Sequence, residues 1–155
     1  MDTGLKAEIR QTRPFASLAE EAHLNLVRTA AVLGHRFEEG LKQYGVTGTQ
    51  YNVLRILRGA GEDGLCRNDV QERMITPVPD ATRLLDRLEA AGYVERRRDS
   101  DDRRFVTARI TAAGLDLLKR MEGPVAALHE TQLGRFSGPE LRQLIGVLER
   151  ARSSP

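Results

Sequence analysis

Apolar residues recur at helical spacing through most of the chain and at strand spacing in one short stretch. Between residues 17 and 45, Leu26, Ala30, Leu33, Phe37 and Leu41 form one stripe, and Leu18, Ala22 and Leu24 add apolar surface on other faces. That pattern predicts a long helix needing more than one partner surface. Ser17 followed by Glu20 reads as its capping box, and Gly45 stops it. Thr47 and Gln50 form a second box, opening a helix through Tyr51, Val53, Leu54, Ile56 and Leu57. Val70 and Met74 then mark a short helix over residues 68–74, and a Pro-containing turn, 75–79, separates it from a helix over 80–91. There Ala81, Leu84, Leu85 and Leu88 hold the i, i+3, i+4, i+7 spacing of a buried stripe, and Gly92 supplies a left-handed C-cap. Next, Val106, Ala108 and Ile110 alternate with Phe105, Thr107 and Arg109, the period of a half-buried strand. Val94 and Arg96 belong to its partner, so residues 93–110 read as a hairpin with residues 98–103 at the tip. Thr111 caps a further helix with Leu115, Leu118, Met121, Val125 and Leu128 as its stripe, which Gly123-Pro124 should kink. Ser137 and Glu140 form a third capping box before a last helix carrying Leu141, Leu144, Ile145 and Leu148. Residues 1–16 are polar and carry Pro14, which predicts a flexible or partly docked arm with Phe15 as an anchor.

Helix, turn, helix, then a charged hairpin is the layout of a winged helix-turn-helix. The predicted fold is mainly α with a small β-hairpin wing, a winged helix-turn-helix plus helices from both termini. The whole chain, 1–155, reads as one domain, with the winged lobe over 47–110. At 155 residues it is long enough to bury a core. A formal net charge of +2 says little about partners, but its distribution says more: Arg96, Arg97, Arg98, Arg103, Arg104 and Arg109 crowd into the hairpin. That crowding, beside a helix sized for a major groove, points to double-stranded DNA.

On the 80–91 helix the face opposite the apolar stripe shows Asp80, Thr82, Arg83, Asp86 and Arg87. Thr82 and Arg83 are expected to reach base edges or phosphates, since Arg can bridge guanine O6 and N7. Arg87 joins them, with Arg97, Arg98, Arg103 and Arg104 of the hairpin. Asp80 could accept from a cytosine N4 or serve the helix dipole, and the dipole role is favoured. Asp86 and Glu89 read as solvated or paired with nearby Arg.

The chain resembles the MarR transcription regulators. Leu84-Leu85-Asp86-Arg87-Leu88-Glu89, followed by Gly92-Tyr93-Val94-Glu95-Arg96, is similar to that family's LVDRLE…GLVER run. Residues 102–111, with Gly114 three residues on, match its DxR…LT..G wing signature, with Ile110 standing where Leu is usual. Residues 47–54 are similar to the start of the family's second helix, and the resemblance runs from about Leu18 to the C-terminus. It implies a homodimeric bacterial or archaeal regulator, often a repressor released by a small ligand or an oxidant. It assigns 17–45 and 112–152 to dimerisation. It makes Arg104 the residue that enters the minor groove, with Asp102 orienting its guanidinium. A two-fold dimer would space two recognition helices one DNA turn apart on a pseudo-palindromic operator. A small-molecule effector would sit between the dimerisation helices and the winged lobe, with His23, Tyr51 and Arg55 as candidate contacts.

Other chemistry finds little support. Gly59-Ala60-Gly61-Glu62-Asp63-Gly64 fits G-x-G-x-x-G letter for letter, but it closes a helix where a dinucleotide site must open one. His23, His35 and His129 are scattered, and no metal motif or nucleophile elbow is present. No catalytic residue, metal or cofactor is expected. Cys66, the one cysteine, sits at a helix start where a reactive thiol is conceivable, although a structural role is favoured. A single cysteine fits a reducing cytoplasm, and no apolar run reaches the ~18 residues of a membrane span. Two further readings stay open beside the effector-responsive repressor: an effector-free architectural DNA-binding protein, and an interaction module that has lost specific binding.

Overall fold

A computed structural model describes residues 4–98 and 106–153. The chain separates into two compact units, Met1–Gly40 and Leu41–Pro155.

In the first unit, α1 (Leu5–Glu8) is a single helical turn and α2 (Leu18–Leu41) is the long helix expected from the sequence. Leu5 is buried and Glu8 lies 3.5 Å from Arg28, so the arm is docked rather than loose. The Ser17 hydroxyl accepts from the Glu20 amide at 3.1 Å. The Glu20 carboxylate, however, takes the Ala16 amide, one residue earlier than the capping box predicts. Leu18, Leu26 and Val27 remain 84%, 45% and 52% exposed, so this unit alone does not bury the helix's apolar surface.

The second unit begins with a 3₁₀ turn, Lys42–Tyr44, closed by Gly45 at φ +69°. Helix α3 (Gly48–Ala60) follows, with the Thr47–Gln50 box complete in both directions and Val53, Leu54 and Leu57 fully buried. The chain then passes a 3₁₀ turn, Gly61–Asp63, into β1 (Leu65–Cys66), α4 (Arg67–Glu72) and α5 (Ala81–Ala90). Strands β2 (Val94–Arg98) and β3 (Val106–Ile110) complete an antiparallel sheet of order β1-β3-β2. The two-residue β1, which pairs Leu65 with Ala108, was not expected; two residues are too short to show a period. Arg98 pairs with Val106 and so ends a strand, not the tip where the pattern placed it. Helix α6 (Ala112–Leu133) runs on through Gly123-Pro124, and α7 (Gly138–Arg152) follows its Ser137–Glu140 box.

The core draws on α3, α4, α5, the sheet and α6. Ala81, Leu85 and Leu88 of α5 are buried as the spacing requires, with Leu84 half-buried. On α6 the buried stripe is Gly114, Leu117, Leu118, Met121 and Val125, while Leu115 is 43% exposed. Leu118, Met121 and Val125 are thus buried as expected, and only at the start of the helix does the stripe differ, with Gly114 and Leu117 inward in place of Leu115. Gly114 explains this: a Cβ there would stand 2.5 Å from the Tyr93 carbonyl oxygen and 2.7 Å from Ile110 Cγ1. The helix seats on its bare glycine edge, which turns Leu115 outward. Helix α7 buries no residue, and Leu144, Ile145 and Val147 stay exposed.

Candidate nucleic-acid interface

The turn between α4 and α5 is pinned by two side-chain amides. Gln71 Nε2 donates to the Val78 carbonyl at 3.0 Å, and the Ile75 amide donates to Asn52 Oδ1 at 2.9 Å. These bonds satisfy backbone groups that the turn frees, and they hold α5 in place relative to α3 and α4. Asp80 is the N-cap of α5, its Oδ1 accepting from the Thr82 amide at 2.8 Å. That bond, then the Thr82 hydroxyl, then the charges of Arg67 and Arg83, hold the carboxyl below its ordinary range. Asp80 therefore caps the helix, a bond beyond the dipole role and the base contact weighed from the sequence. Arg67, which sequence reading passed over, comes in with it as a second cation at this end of the helix.

Gly92, at φ +79°, ends α5 in a Schellman arrangement. Its amide donates to the Glu89 carbonyl and the Tyr93 amide to the Leu88 carbonyl, each at 2.9 Å. The Thr111 hydroxyl then links three pieces. It donates to the Gly92 carbonyl at 2.7 Å and accepts from the Gly114 amide at 3.2 Å, while the Thr111 amide donates to the Tyr93 carbonyl at 3.0 Å. The Thr-x-x-Gly of the wing signature is therefore a joint between the end of α5 and the start of α6.

On α5, Arg83 and Arg87 are exposed one turn apart, and Thr82 is half-buried. Arg97 is exposed and paired with Glu95 at 2.8 Å, and Arg98 is exposed. Asp102, Arg103 and Arg104 lie outside the described residues. Asp86 and Glu89 pair with Arg96, at 2.6 Å and 3.8 Å. The sequence reading allowed such a pairing without naming its partner. Between α5, the start of α4 and the sheet lies a cavity of about 460 Å³, lined by Cys66, Thr82, Leu85, Arg96, Val106 and Ala108 among others. Of the candidate effector contacts, Tyr51 and Arg55 are neighbours on α3, with the guanidinium 5.9 Å from the ring centre. His23 is exposed on α2, in the other unit. Among the described residues no cluster of His, Cys, Asp or Glu is placed to hold a metal, and no helix is long and apolar enough to cross a membrane.

The MarR family model matches residues 44–104, which takes in the helix-turn-helix and β2. A MarR transcription factor from Planctomyces limnophilus is 41% identical in sequence, over 88% of this chain and 98% of its own, with a TM-score of 0.69. The chain belongs to the MarR family. An HTH-type transcriptional repressor of Mycobacterium tuberculosis is 32% identical over 88% of this chain and 98% of that protein. In fold alone, BpsR of Bordetella bronchiseptica superposes with a TM-score of 0.79 at 20% identity, over 92% of this chain and all of its own; its DNA binding is regulated by 6-hydroxynicotinic acid. As a MarR-type protein, the chain is a DNA-binding transcriptional regulator with a winged helix-turn-helix fold.

Proposed function

We propose that this MarR protein is a homodimeric repressor that binds a pseudo-palindromic operator and is released by a small-molecule effector. The carrying observation is the unburied apolar surface of α2 and α7, at opposite ends of the sequence from one reading helix. An isolated α7 with no buried residue has little to hold it helical, whereas a second copy would bury Leu144, Ile145 and Val147. Residues 17–45 and 112–152 then serve as the dimer interface and 47–110 as the DNA-reading lobe, making one functional domain of 1–155. In that lobe Arg83, Arg87 and Thr82 face the major groove, with Asp80 holding the helix end. Arg97, Arg98 and Arg103 meet phosphates, and Arg104, oriented by Asp102, enters the minor groove.

The repressor role is supported by the Mycobacterium relative, and the effector by the regulation of BpsR. An effector acts only by binding the DNA-competent and incompetent arrangements unequally. His23, Tyr51 and Arg55 remain its proposed contacts. No catalytic step, metal or cofactor enters this account.

The test is fluorescence anisotropy on duplexes from the gene's own upstream region, across a salt series, with Arg104→Ala alongside and sedimentation of the free protein. Saturable, selective binding by a dimer, weakening with salt and lost in the variant, is the expected result. Equal affinity for every duplex would favour an architectural role, and a monomer at micromolar concentration would remove the two-fold operator. Compounds are then screened by the rise in Tm that binding to the folded state produces.

A further inference from the structure

The base of the wing and the recognition helix must meet the duplex together, yet side-chain packing between them is incomplete. The 460 Å³ cavity lies at that junction, bounded by Thr82 and Leu85 on one side and Arg96, Val106 and Ala108 on the other. We propose that Arg96 is a positioning residue for DNA binding, a clamp that fixes the wing's angle to α5 across this gap.

Arg96 pairs with Ala108 in the sheet, and its side chain, 26% exposed, turns toward α5. Its Nη2 donates to Asp86 Oδ1 at 2.6 Å and to the Thr82 carbonyl at 3.3 Å, and Nη1 lies 3.8 Å from Glu89 Oε2. The Arg96 amide adds a bond to Glu89 Oε1 at 3.3 Å. Thr82, Asp86 and Glu89 stand at i, i+4 and i+7, so one guanidinium engages a stripe about 10 Å long on the helix. Only the planar fork of Arg offers enough donors in fixed directions for this; an ammonium would hold one acid and leave the others. The clamp also accounts for two carboxylates on a phosphate-facing helix, where charge alone would disfavour them. Arg96 is thereby separated in role from its neighbours Arg97 and Arg98, which are exposed and turned to solvent.

The inference rests on the DNA-binding reading, and Asp86→Asn tests it by sign. Neutralising an acid on a DNA-facing helix strengthens binding if only charge matters. If the clamp matters, binding to the upstream duplex weakens, by about three- to tenfold. Hydrogen exchange on the free protein supplies a readout independent of DNA. In Asp86→Asn and Arg96→Met, amides of 94–98 and 106–110 should exchange several-fold faster while those of 115–125 keep their rates, and Arg96→Lys should recover part of the protection. Wild-type or tighter DNA binding by Asp86→Asn would overturn the proposal, as would unchanged exchange in the sheet or a uniform rise across the protein. Should the wild-type protein bind no duplex, the DNA reading fails by itself and the exchange result decides the clamp.

Discussion

Two glycines in one six-residue run should respond to the same substitution with opposite signs. Gly59 and Gly64 open and close the stretch that mimics a nucleotide fingerprint. Gly59 is inside α3, and a Cβ there would meet nothing within 4 Å. Gly59→Ala therefore removes backbone freedom from the unfolded chain at no native cost, a gain of about 0.5–1 kcal/mol. Gly64 has φ +68° and ψ −169°, a region that only glycine occupies readily. A Cβ there would stand 2.5 Å from the Ala108 carbonyl oxygen and 2.7 Å from Arg109 Cγ. That oxygen belongs to β3, paired through Ala108 to Leu65, so it cannot retreat without opening the sheet. Backbone strain of about 1–2 kcal/mol plus overpacking of similar size gives a loss of about 2–4 kcal/mol for Gly64→Ala. At ~2–4 °C per kcal/mol for a chain of this length, Tm should fall by roughly 5–15 °C, against a rise of about 1–4 °C for Gly59→Ala. Both variants and the wild type would be melted at one protein concentration, because the proposed dimer would couple Tm to concentration. A Gly64→Ala protein as stable as wild type would refute the close approach to β3. A destabilised Gly59→Ala would refute the open helical surface.

Thr111→Val keeps the shape but removes both the cap and the bond to Gly92, and should lower stability by about 1–3 kcal/mol, read as the urea midpoint; an unchanged midpoint would show that the joint is dispensable. Asp80 and Glu140 both have carboxyls held below their ordinary range, Asp80 first by the Thr82 amide and Glu140 first by the Ser137 hydroxyl. With the folded pKa below the unfolded one, their stabilisation is complete above the unfolded value and disappears as pH falls through the folded one. The stability gap between wild type and Asp80→Ala/Glu140→Ala should thus stay constant above about pH 5 and close below about pH 4. A gap independent of pH would place the effect elsewhere.

Local chemistry was legible in the sequence. The capping residues Thr47, Thr111 and Ser137 act as read, because a cap needs only residues three positions apart. Gly92 and Gly45 end their elements for the same reason. What depends on distant partners was not legible. Strand β1 exists because β3 lies beside it, and Leu117 replaces Leu115 in the core because Gly114 meets Tyr93. The partners of Arg96 are seven to fourteen residues away, across a helix end and a turn. Acids at positions 86 and 89, on a helix face that otherwise carries Arg83 and Arg87, were the one available clue.

The Thr111 joint has a mechanical side. Helix α6, 22 residues long, extends about 33 Å from it at 1.5 Å per residue. The Thr111 hydroxyl and amide bind the end of α5 to the first turn of α6, so the two helices share a root at residue 111. A tilt of only about 5° at that root would sweep the far end through about 3 Å. Leu117, Leu118, Met121 and Val125 are buried in the core and resist such a tilt, so α6 can turn at this root only if the core yields with it. Because β3 ends at Ile110 and β2 starts at Val94, both next to the joint, the strands would share in any such rotation.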